Sequence, residues 1–223
     1  MQVAVKTEQL SQAIGKGGEA DIYDLGNGSV VKLYKTSSHP DLAGDPAQQK
    51  AAVDRLTFAA RKLPTFPKGL PANVVAPKEL VTDRAGNVLG FTMPLVTNGV
   101  ELIRYYGDRV FRQGVPFPTI RSIFLGLHQT VEAVHNVGVV IGDFNDLNVM
   151  VVGTRPHLID ADSFQWGPFF CSTFTMRFVD PMLCDPAAPR LTLSHPHTAA
   201  SDWYAYAIML MQTLLFVDPY GGL

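Results

Sequence analysis

Two carboxylates and two amides interrupt the apolar run VVIGDFNDLNVMV, residues 139–151: Asp143, Asn145, Asp146 and Asn148. Asp160 follows Asn148 by twelve residues, at the end of another apolar stretch, with Asp162 just beyond. Oxygen donors at strand ends suit a hard cation such as Mg2+, which keeps several waters beside its carboxylate and amide ligands. A free carboxylate next to such a cation can accept a proton from an incoming hydroxyl. Nearer the N-terminus, IGKGGEADIY places Gly15, Gly17 and Gly18 in a strand–turn–strand. Glycines there let backbone N–H groups approach a phosphate closely. Lys32 lies in the next strand, SVVKLYK, flanked by Val31 and Leu33, so strand alternation commits its ammonium to one face. If that face opens on a cleft, the ammonium reaches phosphate oxygens. Taken singly, each signal has a plain structural reading: a polar loop making turn bonds, an ordinary hairpin, a strand-end cap.

The elements that must hold these groups follow from the hydrophobic pattern. Residues 12–26 and 29–35 read as β-rich segments separated by the hairpin signal Gly26-Asn27-Gly28. A helix is predicted over 45–63, with Asp45 as N-cap and Pro46 in the first turn. Two further strands fit VVAPKELVTD and VLGFTMPLV, joined at residues 84–87. Ile120, Ile123, Phe124, Leu127, Val131 and Val134 recur at helical spacing, and Gly138 is placed to end that helix. VVIGDFNDLNVMV then reads strand, loop, strand, TRPHLID adds a short strand, and residues 165–196 form a long loop. A last helix is expected over 199–216. A β-rich first half and a helical second half predict an α+β chain of two parts, residues 1–96 and 97–223, meeting near residues 94–99.

The order glycine loop, strand lysine, D-x-x-x-x-N (Asp143 to Asn148) and I-D (Ile159-Asp160) resembles the protein-kinase fold, a bilobal architecture with a β-rich N-lobe and a helical C-lobe. SDWYAYA is similar to the kinase helix that opens S-D-x-W/Y. The resemblance runs from about Ile14 to the C-terminus. GFTMP, VVIGDFNDLNVMV and LIDADSFQ resemble an atypical bacterial branch with I-G-D-x-N-x-x-N and I-D-x-D-S-F-Q motifs, found in stress-response clusters near phosphatase and von Willebrand-type genes.

The resemblance implies ATP and Mg2+ as cofactors and a Ser/Thr hydroxyl of a protein as acceptor. It gives Asp143 the role of catalytic aspartate, Asn148 and Asp160 the metal, and Lys32 the α- and β-phosphates. Gly15 and Gly17 match the first glycines of the phosphate-covering loop. Adenine would lie between Ile14, Ile22 and Val30 on one side and Met150 on the other. Met93 stands at the gatekeeper position and Pro94 to Val96 at the hinge, where Pro94 offers its carbonyl and Val96 an N–H. Asp202 would brace the catalytic loop without touching substrate. The phosphatase and von Willebrand-type proteins are implied as partners.

Several positions depart from the family pattern. Ile141-Gly142 replaces His-Arg, so a phosphorylated loop has no arginine to receive it. Ser163, Ser172, Thr173 and Thr175 are therefore not expected to form an obligatory switch. Asn145 replaces the lysine usual in Ser/Thr protein kinases, and Ala161-Asp162 replaces Phe-Gly, which makes Asp162 a candidate second metal contact. Ala20 stands for the third glycine, and Pro181-Met182 for Pro-Glu. The helix over 45–63 contains no Glu, which leaves Asp54 as the candidate partner of Lys32. These departures keep two rivals open: a small-molecule kinase of the same fold, and a pseudokinase acting as a nucleotide-binding scaffold. The retention of Lys32, Asp143, Asn148 and Asp160 together favours the enzyme. The chain also ends soon after the last predicted helix, as a fragment or a minimal fold would.

Composition bounds the rest. The chain has 223 residues, 47% hydrophobic and 17% charged, with a formal net charge of −2. No basic block supports binding to nucleic acid or an anionic membrane. MQVAVKTEQL lacks the apolar core of a signal peptide. The longest apolar run, residues 207–217, is broken by Gln212 and Thr213 and falls short of the about 20 residues a bilayer requires. It is expected as a buried helix. Cys171 and Cys184 form neither a metal spacing nor a disulfide framework, as expected of reduced thiols in the cytoplasm. His195 and His197, split by a proline, do not suggest a metal site, and His135 reads as structural. Phe164, Trp166, Phe169 and Phe170 are either core or a docking surface for a partner.

Overall fold

The computed structural model describes residues 2–3 and 12–219. Most of MQVAVKTEQL and residues 220–223 lie outside this range. The protein is mixed α+β, and its chain divides into two compact units.

The first unit takes in the described residues up to Phe66 together with Ala76–Leu95. Six strands, β1 (Gln2–Val3), β2 (Gly15–Lys16), β3 (Ala20–Asp24), β4 (Ser29–Tyr34), β5 (Glu79–Thr82) and β6 (Val88–Pro94), form one sheet in the order β1-β5-β6-β4-β3-β2. Only the β1–β5 pair is parallel. Val31, Val81 and Phe91 are completely buried. The helix α1 (Pro46–Lys62) starts where its chemistry predicts. Asp45 accepts hydrogen bonds from the Ala47 and Gln48 N–H groups, and Pro46 fills the first turn. It buries only Ala52, Ala59 and Lys62 and packs against β6. Gly90 of β6 is a packing requirement, because a Cβ there would lie 2.0 Å from the Lys32 carbonyl oxygen. The close approach seats β6 on β4 at the residue expected to contact phosphate.

The second unit comprises Pro67–Val75 and the described residues from Val96 onward. A three-stranded antiparallel sheet, β7 (Val100–Glu101), β8 (Val149–Val152) and β9 (Arg155–Leu158), accompanies α2 (Arg104–Gly107), α3 (Arg109–Gln113), α4 (Phe117–Asn136) and α5 (Ala199–Leu215). The apolar stripe of α4 is the one its spacing predicts: Ile120, Ile123, Leu127, Val131 and Val134 are fully buried. This face lies on β9 and α5. Burying such side chains contributes roughly 1.5–3 kcal/mol each, before the entropy of ordering them. Gly138, at φ +76°, ends the helix.

Two expectations need correction. VVAPKELVTD is not one strand of the first sheet. Its strand begins at Glu79, and Val74 and Val75 bridge to Leu158 in the second unit. Asn73 extends that junction, donating to Thr130 Oγ1 and the Pro156 carbonyl. The apolar run 207–217 is only half buried. Ile208 and Met209 face inward, whereas Met211, Leu215, Phe216 and Val217 are exposed. Gln212 and Thr213, the polar interruptions, are buried instead, with Thr213 Oγ1 bonded to the Met209 carbonyl. Among the described residues no helix is long and apolar enough to cross a membrane.

Candidate active site

The expected site residues fall into two groups, one in each unit. In the first unit, strand register collects them on one face. Gly15 pairs with Ile22, Ile22 with Lys32, Lys32 with Phe91, and Val30 with Met93. Directly paired residues of antiparallel strands point the same way, as do residues two apart along a strand. Gly15, Ile22, Val30, Lys32 and Met93 therefore share a face, with the Lys32 ammonium 5.8 Å from the Phe91 ring centre. Ile14 is exposed at the edge, its N–H bonded to the Ile22 carbonyl. Pro94 closes β6 opposite Ser29, and the Leu95 N–H donates to Gly28.

The glycine turn is closed by its own backbone. The Gly17 N–H donates to the Ala20 carbonyl, so in this conformation it is not free for a ligand. A Cβ on Gly15 would make ordinary contacts and one on Gly18 would meet nothing. The chain's own packing does not explain why these two positions lack side chains. Asp54, expected to partner Lys32, instead pairs with Lys50 one helical turn away at 2.5 Å, with both side chains well exposed. That pair follows from i,i+4 spacing on α1.

In the second unit, the loop between Val139 and Val149 is pinned by apolar anchors. Ile141, Phe144 and Val149 are each at most 1% exposed. Asp202, fully buried in the first turns of α5, supports the loop from behind. Its Oδ2 accepts the Ile141 N–H at 2.8 Å and its Oδ1 the Gly142 N–H at 2.9 Å. His135, at the end of α4, meets Asp202 Oδ2 through Nε2 at 2.8 Å, a structural position as its sequence context predicts. A capping box between Thr198 and Ser201 fixes the start of α5 and thus Asp202 itself.

Gly142 could not be the arginine of the usual motif without rearrangement. Its φ is +82°, and an added Cβ would lie 2.8 Å from Cys171 Cβ. Gly142→Arg is expected to cost about 2–5 kcal/mol, the sum of roughly 1–2 for a left-handed backbone and about 1–3 for overpacking. Thermal melting checks this; a variant as stable as wild type would refute the expectation.

Within the loop, Asn145 is a knot. Its Nδ2 donates to the Asp143 carbonyl and Oδ1, while its own Oδ1 accepts the Leu147 and Asn148 N–H groups. At 4% exposure it builds the loop and has no spare group for a substrate. Asn148 donates Nδ2 to the Asp143 carbonyl at 3.1 Å. Since a carbonyl only accepts, this orients the amide and leaves Oδ1 as the atom available to a cation. The Ile159 N–H donates to the Asn148 carbonyl, which seats Asp160 next to this loop. Asp160 adopts φ +61°, an uncommon left-handed conformation for aspartate, and opens the 3-10 turn Ala161–Ser163. Asp162 lies in that turn and is half-buried. Val96 and Met150 also belong to this unit, both flanking Gly99.

Sequence reasoning missed three contributors. Thr175, noted only as a hydroxyl in the loop, donates Oγ1–H to Asp143 Oδ1 at 2.8 Å. Asp146 is fully buried and receives Arg177 on both oxygens, at 3.0 and 3.3 Å. Tyr106 donates to Asp146 as well and accepts from Arg177 at 3.0 Å. Burial and the neighbouring carboxylate push the Tyr106 phenol far above its ordinary pKa, so it stays a donor. A signal for this cluster was present: a carboxylate inside an apolar run must find a partner when buried.

The segment after Phe164 is held by the same kind of contact. His197 Nε2 meets the Thr173 carbonyl at 3.0 Å, and Gln165 Nε2 donates to the His197 carbonyl. Phe164, Trp166 and Phe169 are core, while Phe170 is exposed. Both cysteines are free and buried, and burial raises the Cys171 thiol pKa.

Among the described residues no three His, Cys, Asp or Glu side chains cluster as a metal cage. Asn148 Oδ1 and the Asp160 carboxylate are oxygen donors of the kind Mg2+ takes beside its waters and phosphate oxygens. No family model matches the chain, and no curated protein matches it.

Proposed function

We propose that the protein is an ATP- and Mg2+-dependent phosphotransferase of bilobal protein-kinase-like fold, acting in the cytoplasm on a Ser/Thr hydroxyl of a protein. The observation that carries the reading is Asp143. Its carboxylate sits on a loop fixed by Asp202 and Asn145, and it already accepts a hydrogen bond from a threonine hydroxyl. A group so placed can orient an acceptor hydroxyl and take its proton as the oxygen bonds to the γ-phosphorus. The bond from that phosphorus to the β-bridging oxygen breaks, and the nucleoside diphosphate leaves. Asn148 Oδ1 and Asp160 would hold the Mg2+, which neutralises charge on the phosphate oxygens when bound. Lys32, on the face it shares with Gly15, Ile22, Val30 and Met93, supplies a fixed positive charge for the α- and β-phosphates. The absence of side chains at Gly15 and Gly18, unexplained by packing, supports close approach of a phosphate there.

Gly142 stands where an arginine would receive a phosphorylated loop, which supports an enzyme needing no loop phosphorylation. Incubation with γ-labelled ATP tests the reading, following label into the protein, into generic protein acceptors and into free phosphate. Label on protein is expected with Mg2+ and is expected to fall at least about tenfold with chelator, or in Asn148→Ala at limiting Mg2+. No label in any fraction would refute the enzyme and favour a scaffold.

A further inference from the structure

We infer that Lys35 is a positioning residue for the glycine turn, holding Gly17 in place before any ligand arrives. Lys35 follows β4 and its side chain is only 5% exposed. Its ammonium donates to the Gly17 carbonyl at 2.6 Å and to Asp41 Oδ2 at 2.6 Å, and stands 3.9 Å from Asp21 Oδ1. That Asp21 oxygen is buried without a hydrogen-bond partner, so this ammonium compensates it through charge alone. His39 Nε2 lies 3.4 Å from the other Asp21 oxygen, and His39 Nδ1 accepts the Asp41 N–H. The bond to Lys35 also holds the Asp41 carboxyl below its ordinary pKa.

The turn is gripped at a second point. The Lys35 N–H donates to the Glu19 carbonyl at 2.9 Å, and the Glu19 side chain pairs with Arg55 of α1 at 2.8 Å. A glycine-rich turn is otherwise the element with most conformational freedom to lose on binding. The Gly17 N–H stays bonded to Ala20, so what the fastening preorganises is the open approach at Gly15 and Gly18, and removing part of the ordering cost there raises affinity. Lysine suits this tether because it carries three donors on one small head, and here one goes to a backbone carbonyl and one to a carboxylate. Nothing in the expected nucleotide contacts requires a buried lysine here, and Lys35 does not lie on the Lys32 face, being three residues further along. The inference rests on the nucleotide reading of the turn.

Two measurements separate the inference from that reading. Amide hydrogen exchange of residues 15–20 reports the tether without any ligand. Binding of ATP against adenosine reports what the tether does, because adenosine has no phosphates for the turn to meet. In Lys35→Met, exchange at these amides is expected to accelerate at least about tenfold. ATP affinity is expected to fall about tenfold while adenosine affinity holds within about twofold. Lys35→Arg, which can keep both donations, is expected to restore most of both. Asp41→Asn, on an exposed side chain, is expected to shift both in the same direction but less, and serves if Lys35→Met does not fold. Unchanged exchange would overturn the tether. Equal loss of ATP and adenosine would make Lys35 a general stabiliser and overturn its positioning role. Wild-type protein that binds neither ligand would overturn the nucleotide reading and the positioning role with it, whatever exchange shows.

Discussion

Asp143→Asn is expected to lower phosphoryl transfer by about three orders of magnitude while leaving ATP affinity within about twofold. On the proposed mechanism the substitution removes the proton acceptor and little else. An asparagine Oδ1 can still take the hydrogen bond from Thr175, and the Asp143 carbonyl, which Asn145 and Asn148 hold, is backbone and unaffected. The loop should therefore keep its shape, and the melting temperature should stay close to that of wild type. A thousandfold loss corresponds to about 4 kcal/mol of transition-state stabilisation, within what one positioned base supplies. The assay compares label transfer by the two proteins beside direct nucleotide binding. Transfer within about tenfold of wild type would remove Asp143 from the mechanism. Loss of binding together with transfer would mean that the variant damages the site as a whole.

The second large effect concerns a residue placed behind the loop, away from any substrate. Asp202→Ala is expected to destabilise the second unit by about 3–5 kcal/mol, because it strands buried groups. Asp202 is fully buried and accepts the Ile141 N–H, the Gly142 N–H and the His135 ring nitrogen. With alanine there, the buried Ile141 N–H and the part-buried Gly142 N–H lose their acceptor, each costing up to about 1–3 kcal/mol. A carboxylate in the first turns of α5 also gains from the helix dipole, which the variant forfeits. Against a typical total stability of about 5–15 kcal/mol this is a large fraction. At about 2–4 °C per kcal/mol for a chain of this size, the melting temperature should fall by roughly 6–20 °C. Exchange should accelerate most at the amides of Ile141 and Gly142. A drop of under about 2 °C would show that the loop does not depend on this carboxylate.

The two variants divide one loop into its chemical and its supporting parts, and the division tracks burial. Asp143 and Asn148 are half-buried, whereas Asn145, Asp146 and Asp202 are nearly or wholly closed to solvent and spend their polar atoms on the protein. A substitution at a closed position is therefore expected to appear first in stability. At Asp143 it is expected to appear first in rate.

What the sequence determined by itself was local. Asp45-Pro46 dictates where α1 begins because the capping side chain and the first free N–H groups lie within three residues of each other. The spacing from Ile120 to Val134 dictates the buried face of α4 through the helical repeat alone. The hairpin at residues 24–29 follows from Gly26, Asn27 and Gly28 in the same way. The polar residues within VVIGDFNDLNVMV could be recognised as a polar loop between apolar segments because their types conflict with their surroundings.

Tertiary structure decided what depended on distant partners. Sequence could not reveal that Val74 and Val75 leave the first unit to join Leu158, since a bridge over more than eighty residues has no local signature. Nor could it decide whether Asp54 turns toward Lys32 or stays on the solvated face of α1, where Lys50 also lies. The helical repeat brings Lys50 within reach at no added chain-ordering cost, and the pair forms there. The roles of Asp146 with Arg177 and Tyr106, of Thr175 beside Asp143, and of Lys35 beneath Gly17 became visible only in three dimensions. Asp146 and Lys35 are buried and Thr175 is half-buried, and in each case packing sets the partner. Burial demands that some partner exist, but only the fold determines which one lies within three ångströms.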